Sequence, residues 1–493
     1  MTEQRRHSQT VRVRHIYAAA MLAASSLLVA APPASAAPLQ TACPTGTLAG
    51  TTYTLTADCA VTEPLTVPDG LTLDGGGFTI SATDAGGPQW HGGIVTNAAG
   101  ATSMNIRNLT VTGPDDGFQL CTISTNLLYG IWFNDASGTV DNVTVDHIFQ
   151  FQNGAFGSCQ TGRAIRAEGT ATGPARTVTI TNTVATDYQK TAFHGIGSSM
   201  TMEVTGSTAG PPHPLEGLMS QNGVTFQDVT SGRAANNTIH GSGNQADGPG
   251  GNGNGTGVLL FNADGVTLTE NEIVGERTDI GISVSAGSTG NTISFNDVTR
   301  QSPDVDGDPT GIAISVDSDS SATLICNTFD GWNQNIVGAI QVDCTPLPGG
   351  AECEPYSAQA PTVHGGIEGE NAPPLTWALE TGSLPPGLTL ATDGAITGTP
   401  TATGTFDFTL VVTDADGLTA TSDQTITIAP GCASPTPTPS DAPSASEAPS
   451  AAGALPDTAV DRRQPTTGAE LTLLAASVVL TAVAGRRRRA QRH

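Results

Sequence analysis

Trp132, Arg166 and His194 occupy matching places in three successive segments, GIWF, AIRA and AFHG, each directly after a bulky apolar residue. An indole ring stacks on a sugar face, a guanidinium pairs with a carboxylate, and an imidazole can move a proton near neutral pH. Side by side, the three would suit an acidic polysaccharide. Removing a proton beside a sugar carboxylate needs a base, for which Arg166, Lys190 and His194 are candidates. Lys190 is the only lysine of the chain, and within DYQK it reads equally as the partner of Asp187 at a turn. Asp115 and Asp116 are adjacent carboxylates. With Asp146 they could hold calcium, which takes clustered oxygen ligands. In DVDGDPT, Asp304, Asp306 and Asp308 alternate around a glycine. The loop resembles the first part of an EF-hand loop without its closing Glu, and reads as a structural calcium site or an exposed acidic turn.

These side chains need elements that place them. From about residue 60 to 345, short runs of β-branched residues alternate with Gly, Asn, Asp and Ser, with almost no helical period. One unit recurs: NLTV at Asn108, NVTV at Asn142, NTVA at Asn182, GSTA at Gly206, NTIH at Asn237, NEIV at Asn271, NDVT at Asn296 and NTFD at Asn327. Spacings of 24 to 40 residues mean stacked units, none able to bury its apolar face alone. With strands and no helix in each unit, the stack is a β-solenoid, and the asparagines would form an inward ladder. Strand alternation then predicts an inward column of Ile131, Ile165, Phe193, Val224, Val258, Ile282 and Ile312. Its outward companion is Trp132, Arg166, His194, Thr225, Leu259, Ser283 and Ala313, which turns bland beyond Thr225. The two longest units carry Phe118, Tyr129, Trp132, Phe133, Phe149, Phe151 and Phe156, rings that could flank a sugar groove or cap a local core.

LTLDGGGFTI at Leu71 and rungs such as GVLLFNADGVTLTENEIVG resemble right-handed parallel β-helix repeat proteins over about 280 residues. That group shares its fold with pectate lyases and polygalacturonases, so the resemblance implies an all-β solenoid and, if it is an enzyme, a polysaccharide lyase or glycoside hydrolase. The polygalacturonase resemblance implies paired aspartates as general acid and water activator, Asp115 and Asp116 here, but the pattern does not close. About 78 residues separate Asp115 from FHGIG at Phe193, over twice one coil, and the downstream Arg-x-Lys is missing.

A second module, Cys353 to Cys432, has alternating strands and Pro-Gly turns. Its LPPGL and GTPT resemble the Ig-like, cadherin-like modules of bacterial surface proteins. Asp414 and Asp416 are what remains there of an acidic calcium motif. All eight cysteines fall between the two ends, and neighbour pairing joins Cys43 to Cys59, Cys121 to Cys159, Cys326 to Cys344 and Cys353 to Cys432, one of 105 connectivities.

Residues 1–36 have the basic start, apolar run and Ala34-Ser35-Ala36 end of a secretion signal. The solenoid is expected over 37–350, the sandwich over 353–432, a Pro/Ser/Thr stalk over 433–467, and an anchor with an arginine tail over 468–493. Gln464-Pro465-Thr466-Thr467-Gly468 before an apolar run and Arg486 to Arg489 resembles a sortase sorting signal, departing from it at Gln464. A plain membrane anchor is the alternative, although the run is short for a span. Without the nine arginines and two glutamates of the two ends, the formal charge of -26 becomes roughly -33. That argues against nucleic acid or an anionic membrane as partner. Expected partners are a polysaccharide, a host or envelope surface, and the cell envelope through the tail. The reading is a surface-displayed β-helix that binds, or binds and modifies, polysaccharide; the alternative is a non-catalytic adhesin or envelope structural protein.

Overall fold

The computed structural model describes residues 39–83, 90, 92–118, 127–150, 161–212, 221–240, 255–275, 278–300, 311–366 and 375–432. The chain is a right-handed parallel β-helix followed by an Ig-like β-sandwich. Each coil lays one strand on each of three faces. Face A is a ten-stranded parallel sheet that includes Gly92–Asn97, Leu128–Asn134, Arg163–Glu168, Thr191–Ile196, Asn222–Gln227, Thr256–Phe261, Ile280–Ser285 and Ile312–Val316. Faces B and C merge where a strand runs through the corner between them, as in Ser103–Thr112 and Ser137–Asp146.

Stacking of like on like builds the core. Ile131, Ile165, Phe193, Val224, Val258 and Ile282 pair rung to rung on face A, and all are fully buried. Each such side chain adds about 1.5–3 kcal/mol when withdrawn from water, and only the next coil can cover it. The next rung departs from expectation. Ile282 pairs with Ile314 and Ser283 with Ser315, so Ser315 is the outward residue, not Ala313, and Ile312 pairs with Ile280. Ala313 is fully buried in a column of small residues, Gly130, Ala164, Ala192, Gly223, Gly257, Gly281 and Ala313, that lies against the core side chains of face C. A Cβ on Gly130 would stand 2.4 Å from Val145 Cγ1, and one on Gly281 would stand 2.5 Å from Val298 Cγ1.

The polar ladder occupies the corner between faces B and C. The side-chain amide of Asn237 donates to Asn271, that of Asn271 to Asn296, and that of Asn296 to Asn327, at 2.8–2.9 Å. Each also serves a neighbouring backbone group, so the buried amides are satisfied. Ser207 and Thr183 continue the column below. Asn108, Asn142 and Asn182 do not belong to it. They sit one residue earlier, at the left-handed corner position (φ 50–53°), with Leu109 and Val143 in the buried slot of the first two rungs. Asparagine tolerates that conformation, and the three pair outside the core instead: Asn142 with Asn108, and Asn182 with Asp141.

Both solenoid ends are closed. The helix Leu39–Ala42, an antiparallel pair of Gly46–Ala49 with Thr52–Leu55, and the Cys43–Cys59 disulfide cover the first coil. At the other end Gln341 completes the ladder, accepting from Asn327 at 2.7 Å and donating back at 2.9 Å, and Cys326 bonds Cys344. Ile340 and Val342 already lie in the sandwich core with Trp377, Ile396, Leu410 and Ile426, so the second module begins before Cys353. Cys353 bonds Cys432 across it, and Asp414 Oδ1 accepts the N–H groups of Asp416 and Leu418, closing a hairpin. Cys121, Cys159, Phe151, Phe156, Asp304, Asp306, Asp308 and the Gln464–Gly468 segment lie outside the described residues.

Candidate functional site

Face A presents Trp132, Arg166 and His194 in direct rung-to-rung register, followed by Thr225 and Leu259. A second outward column, Tyr129, Arg163 and Thr191, runs beside it. Strict alternation would turn Tyr129 and Arg163 into the core, since each stands two residues before an inward isoleucine. The small-residue column breaks the alternation: Gly130 and Ala164 point inward together with Ile131 and Ile165, leaving the preceding residue outside. That glycine-or-alanine column is visible in the sequence and marks Tyr129 and Arg163 as groups that lie outside the aliphatic core, where the structure nonetheless buries Tyr129 and half-buries Arg163.

The cluster is tight. Trp132 lies across Gly92, whose φ of +98° and lack of a Cβ leave room for the indole; a Cβ there would be 2.8 Å from the ring. The Tyr129 ring is 5.6 Å from that of Trp132 and carries the Arg166 and Arg163 guanidinium carbons at 5.1 and 5.9 Å. These are cation–π distances. Glu168 Oε2 accepts from Trp132 Nε1 at 3.1 Å and from Arg166 Nε at 2.9 Å. Arg166 Nη1 stands 3.3 Å from His194 Nδ1.

Charge is concentrated here. Burial and the Arg166 charge push Arg163 down to about 10. Burial and the Arg163 charge push Lys190 down to about 8. Burial lowers Arg166 as well, but Tyr129 and Glu168 outweigh it and leave its pKa raised. Burial raises the Tyr129 phenol. His194 is held well below its usual range by burial first, then by Arg163 and Arg166. Two guanidinium groups thus lie over the Tyr129 ring, with Lys190 close enough to Arg163 to be lowered by its charge and close enough to His194 to lower it in turn, in an otherwise acidic chain. Among the described residues, Tyr129 OH, Arg163 Nε and Thr225 Oγ1 are buried without a hydrogen-bond partner, while the Gln227 side chain hydrogen-bonds the His194 imidazole. Unsatisfied buried polar atoms of this kind are costly and are commonly completed by a ligand or water.

The geometry revises the roles expected of several residues. A guanidinium only donates, so His194 Nδ1 accepts and its single proton sits on Nε2. In this arrangement His194 is a neutral hydrogen-bond donor and not a proton acceptor. Lys190 is the group poised to lose a proton near neutral pH. Asp115 and Asp116 lie on an exposed turn after the strand Ser103–Thr112. Phe118, Phe133 and Phe149 are buried packing residues. Asp146 and Asp187 flank His147, whose Nδ1 and Nε2 lie 2.8 and 3.6 Å from their respective oxygens. These ligand atoms all fall within 4.8 Å of one another, a spacing a divalent cation could use. A concavity of about 330 Å³ on face B is lined by Thr72, Asn105, Arg107, Thr139, Asp141 and Thr181. Its polar side chains bond one another, as in Thr139 to Asn105 and Thr181 to Asp141, and form a surface ladder.

No helix among the described residues is long and apolar enough to cross a membrane. No curated protein matches the chain. Among solved structures, the bacteriophage CBA120 tailspike protein 2 enzymatically active domain aligns at 11% identity over 76% of this chain and 66% of that one, with a TM-score of 0.39. The Azotobacter vinelandii mannuronan C-5 epimerase AlgE4 A-module aligns at 15% identity over 62% and 95%, with a TM-score of 0.32. A Bacteroides fragilis protein described as a "putative alpha-galactosidase/melibiase" is 28% identical over 19% of this chain, which spans only 18% of that protein's length; the TM-score is 0.16. Residues 340–429 match the family model described as "Putative Ig domain", in agreement with the sandwich that caps the solenoid.

Proposed function

We propose that this protein is an extracellular, surface-held β-helix whose face A binds an acidic polysaccharide through the row Trp132, Arg166 and His194. The observation that carries the reading is the buried cation group, Arg163, Arg166 and Lys190, set beside the Tyr129–Trp132 pair. The partly exposed Trp132 ring takes up a sugar face and Arg166 pairs with a carboxylate, while the buried Tyr129 ring and His194 hold the guanidinium in place. The secretion-type start, the sortase-like tail and the oxidised cysteines support a location outside the cell. Calcium at Asp304, Asp306 and Asp308 belongs to the same proposal as a structural ion, supported by the alternation of those carboxylates.

One observation favours a catalytic version. Lys190, at about 8, would be a base of suitable strength for taking the proton beside a carboxylate whose charge the arginines neutralise. The two versions separate on incubation with pectate, alginate and glycosaminoglycans while unsaturated product and reducing ends are followed. Binding without turnover is the result expected of a binding protein. Unsaturated product that disappears in Lys190→Met would establish a lyase. Absence of binding to every acidic glycan would end the proposal.

A further inference from the structure

We infer that Glu168 is an internal occupant of the anion site, which a ligand carboxylate must displace from Arg166 and Trp132. The inference rests on the acidic-glycan reading of face A and adds how that site is controlled. Glu168 Oε2 alone takes both Trp132 Nε1, at 3.1 Å, and Arg166 Nε, at 2.9 Å. These two donors stand on adjacent rungs and converge on one point, as they would on a carboxylate oxygen of a bound sugar acid. The Glu168 charge is also felt by Arg163, Arg166 and Tyr129, so it already neutralises part of the cluster.

Exposure gives the direction of movement. The Glu168 side chain keeps 34% of its surface in solvent against 11% for Arg166. It can swing outward and be hydrated, whereas the guanidinium is held by the Tyr129 ring and by His194 Nδ1. Were Glu168 only a positioning residue for Arg166, its removal would loosen the guanidinium and weaken binding. As a resident counter-ion, its removal leaves Arg166 gripped from two other sides with its Nε edge open. A ligand then no longer has to break an existing charge-assisted pair. The device favours ligands with a full carboxylate charge, because a neutral hydroxyl cannot outcompete Glu168 for two donors.

Titration calorimetry of the full chain and of Glu168→Gln with oligogalacturonate and oligomeric alginate tests this. Gln keeps the size and can still accept from Trp132, but it lacks the charge. Tighter binding by Glu168→Gln, by about tenfold, is expected for whichever acidic oligomer the unaltered chain binds. Arg166→Ala should remove that gain when combined with Glu168→Gln. Equal or weaker binding by Glu168→Gln, with the unaltered chain still binding, overturns the internal-occupant role and leaves the acidic-glycan reading standing. Binding by neither protein overturns both. A melting temperature for each variant separates loss of binding from loss of fold.

Discussion

Arg166 is the centre of the site because it meets the ring of Tyr129, the carboxylate of Glu168 and the imidazole of His194 at once. Removing it takes away the anion contact while leaving the aliphatic core untouched. Arg166→Ala should weaken acidic-glycan binding by about thirtyfold, near 2 kcal/mol, with the melting temperature within about 3 °C of the unaltered chain. Calorimetric titration and a thermal scan check both halves, and a large drop in melting temperature would make the arginine structural. Lys190 gives a pH signature. Its folded pKa, about 8, lies below its ordinary value of 10.5, so between these values the unfolded chain holds more protons than the native one. Its contribution to stability therefore rises with pH from about 8 to 10.5 and is a penalty below 8. Glycan affinity should move the other way, falling as pH passes upward through about 8 and the ammonium charge is lost. Lys190→Met should raise stability at pH 7 and flatten both profiles, as read by urea unfolding and by binding from pH 6 to 10.

At the scale of the element, the solenoid is a set of columns with different tolerances. The buried amide of Asn271 serves Asn296 and the Ala234 carbonyl, while its oxygen accepts from Asn237. Asn271→Ala strands several of these groups and should cost about 2–4 kcal/mol in chemical denaturation. Asn182→Ala, at the exposed corner, should cost less than about 1 kcal/mol. Comparable losses at the two positions would contradict the ladder as placed. The same pair shows what was legible beforehand. The ladder from Asn237 to Asn327 and the row Trp132–Arg166–His194 follow from repeat spacing and alternation alone. Asn108, Asn142 and Asn182 misled because the left-handed corner and the ladder slot are adjacent, and asparagine suits both. Ala313 misled because Gly311 and Ala313 are both small, and only the core says which of them turns inward. Tyr129 was legible only as one of several rings, and Arg163 and Glu168 were not picked out, because the inward Gly130 and Ala164 set Tyr129 and Arg163 off the simple period.

At the scale of the whole molecule, a parallel stack must close its two open edges or it will add strands from another copy. Here one end is covered by the cap that Cys43–Cys59 staples and the other by Gln341 and the sandwich beyond it. The first bridge closes a separation of 16 residues. Replacing both cysteines with serine should cost about 3 kcal/mol and promote end-to-end association, readable by unfolding and light scattering. A monomer of unchanged stability would show that the cap holds without its staple. Against a formal net charge of -26 for the chain, Arg163, Arg166 and Lys190 lie close together on face A, so the proposed site should favour an anion over a neutral sugar.

The central claim is most directly met by one matched comparison. Calorimetric titration of the full chain against acidic polysaccharides and their methyl-esterified counterparts keeps the sugar backbone and removes only the charge. Binding to an acidic member that weakens with salt and is lost on esterification is the predicted result. Equal binding to the charged and esterified forms, or to neither, would contradict it.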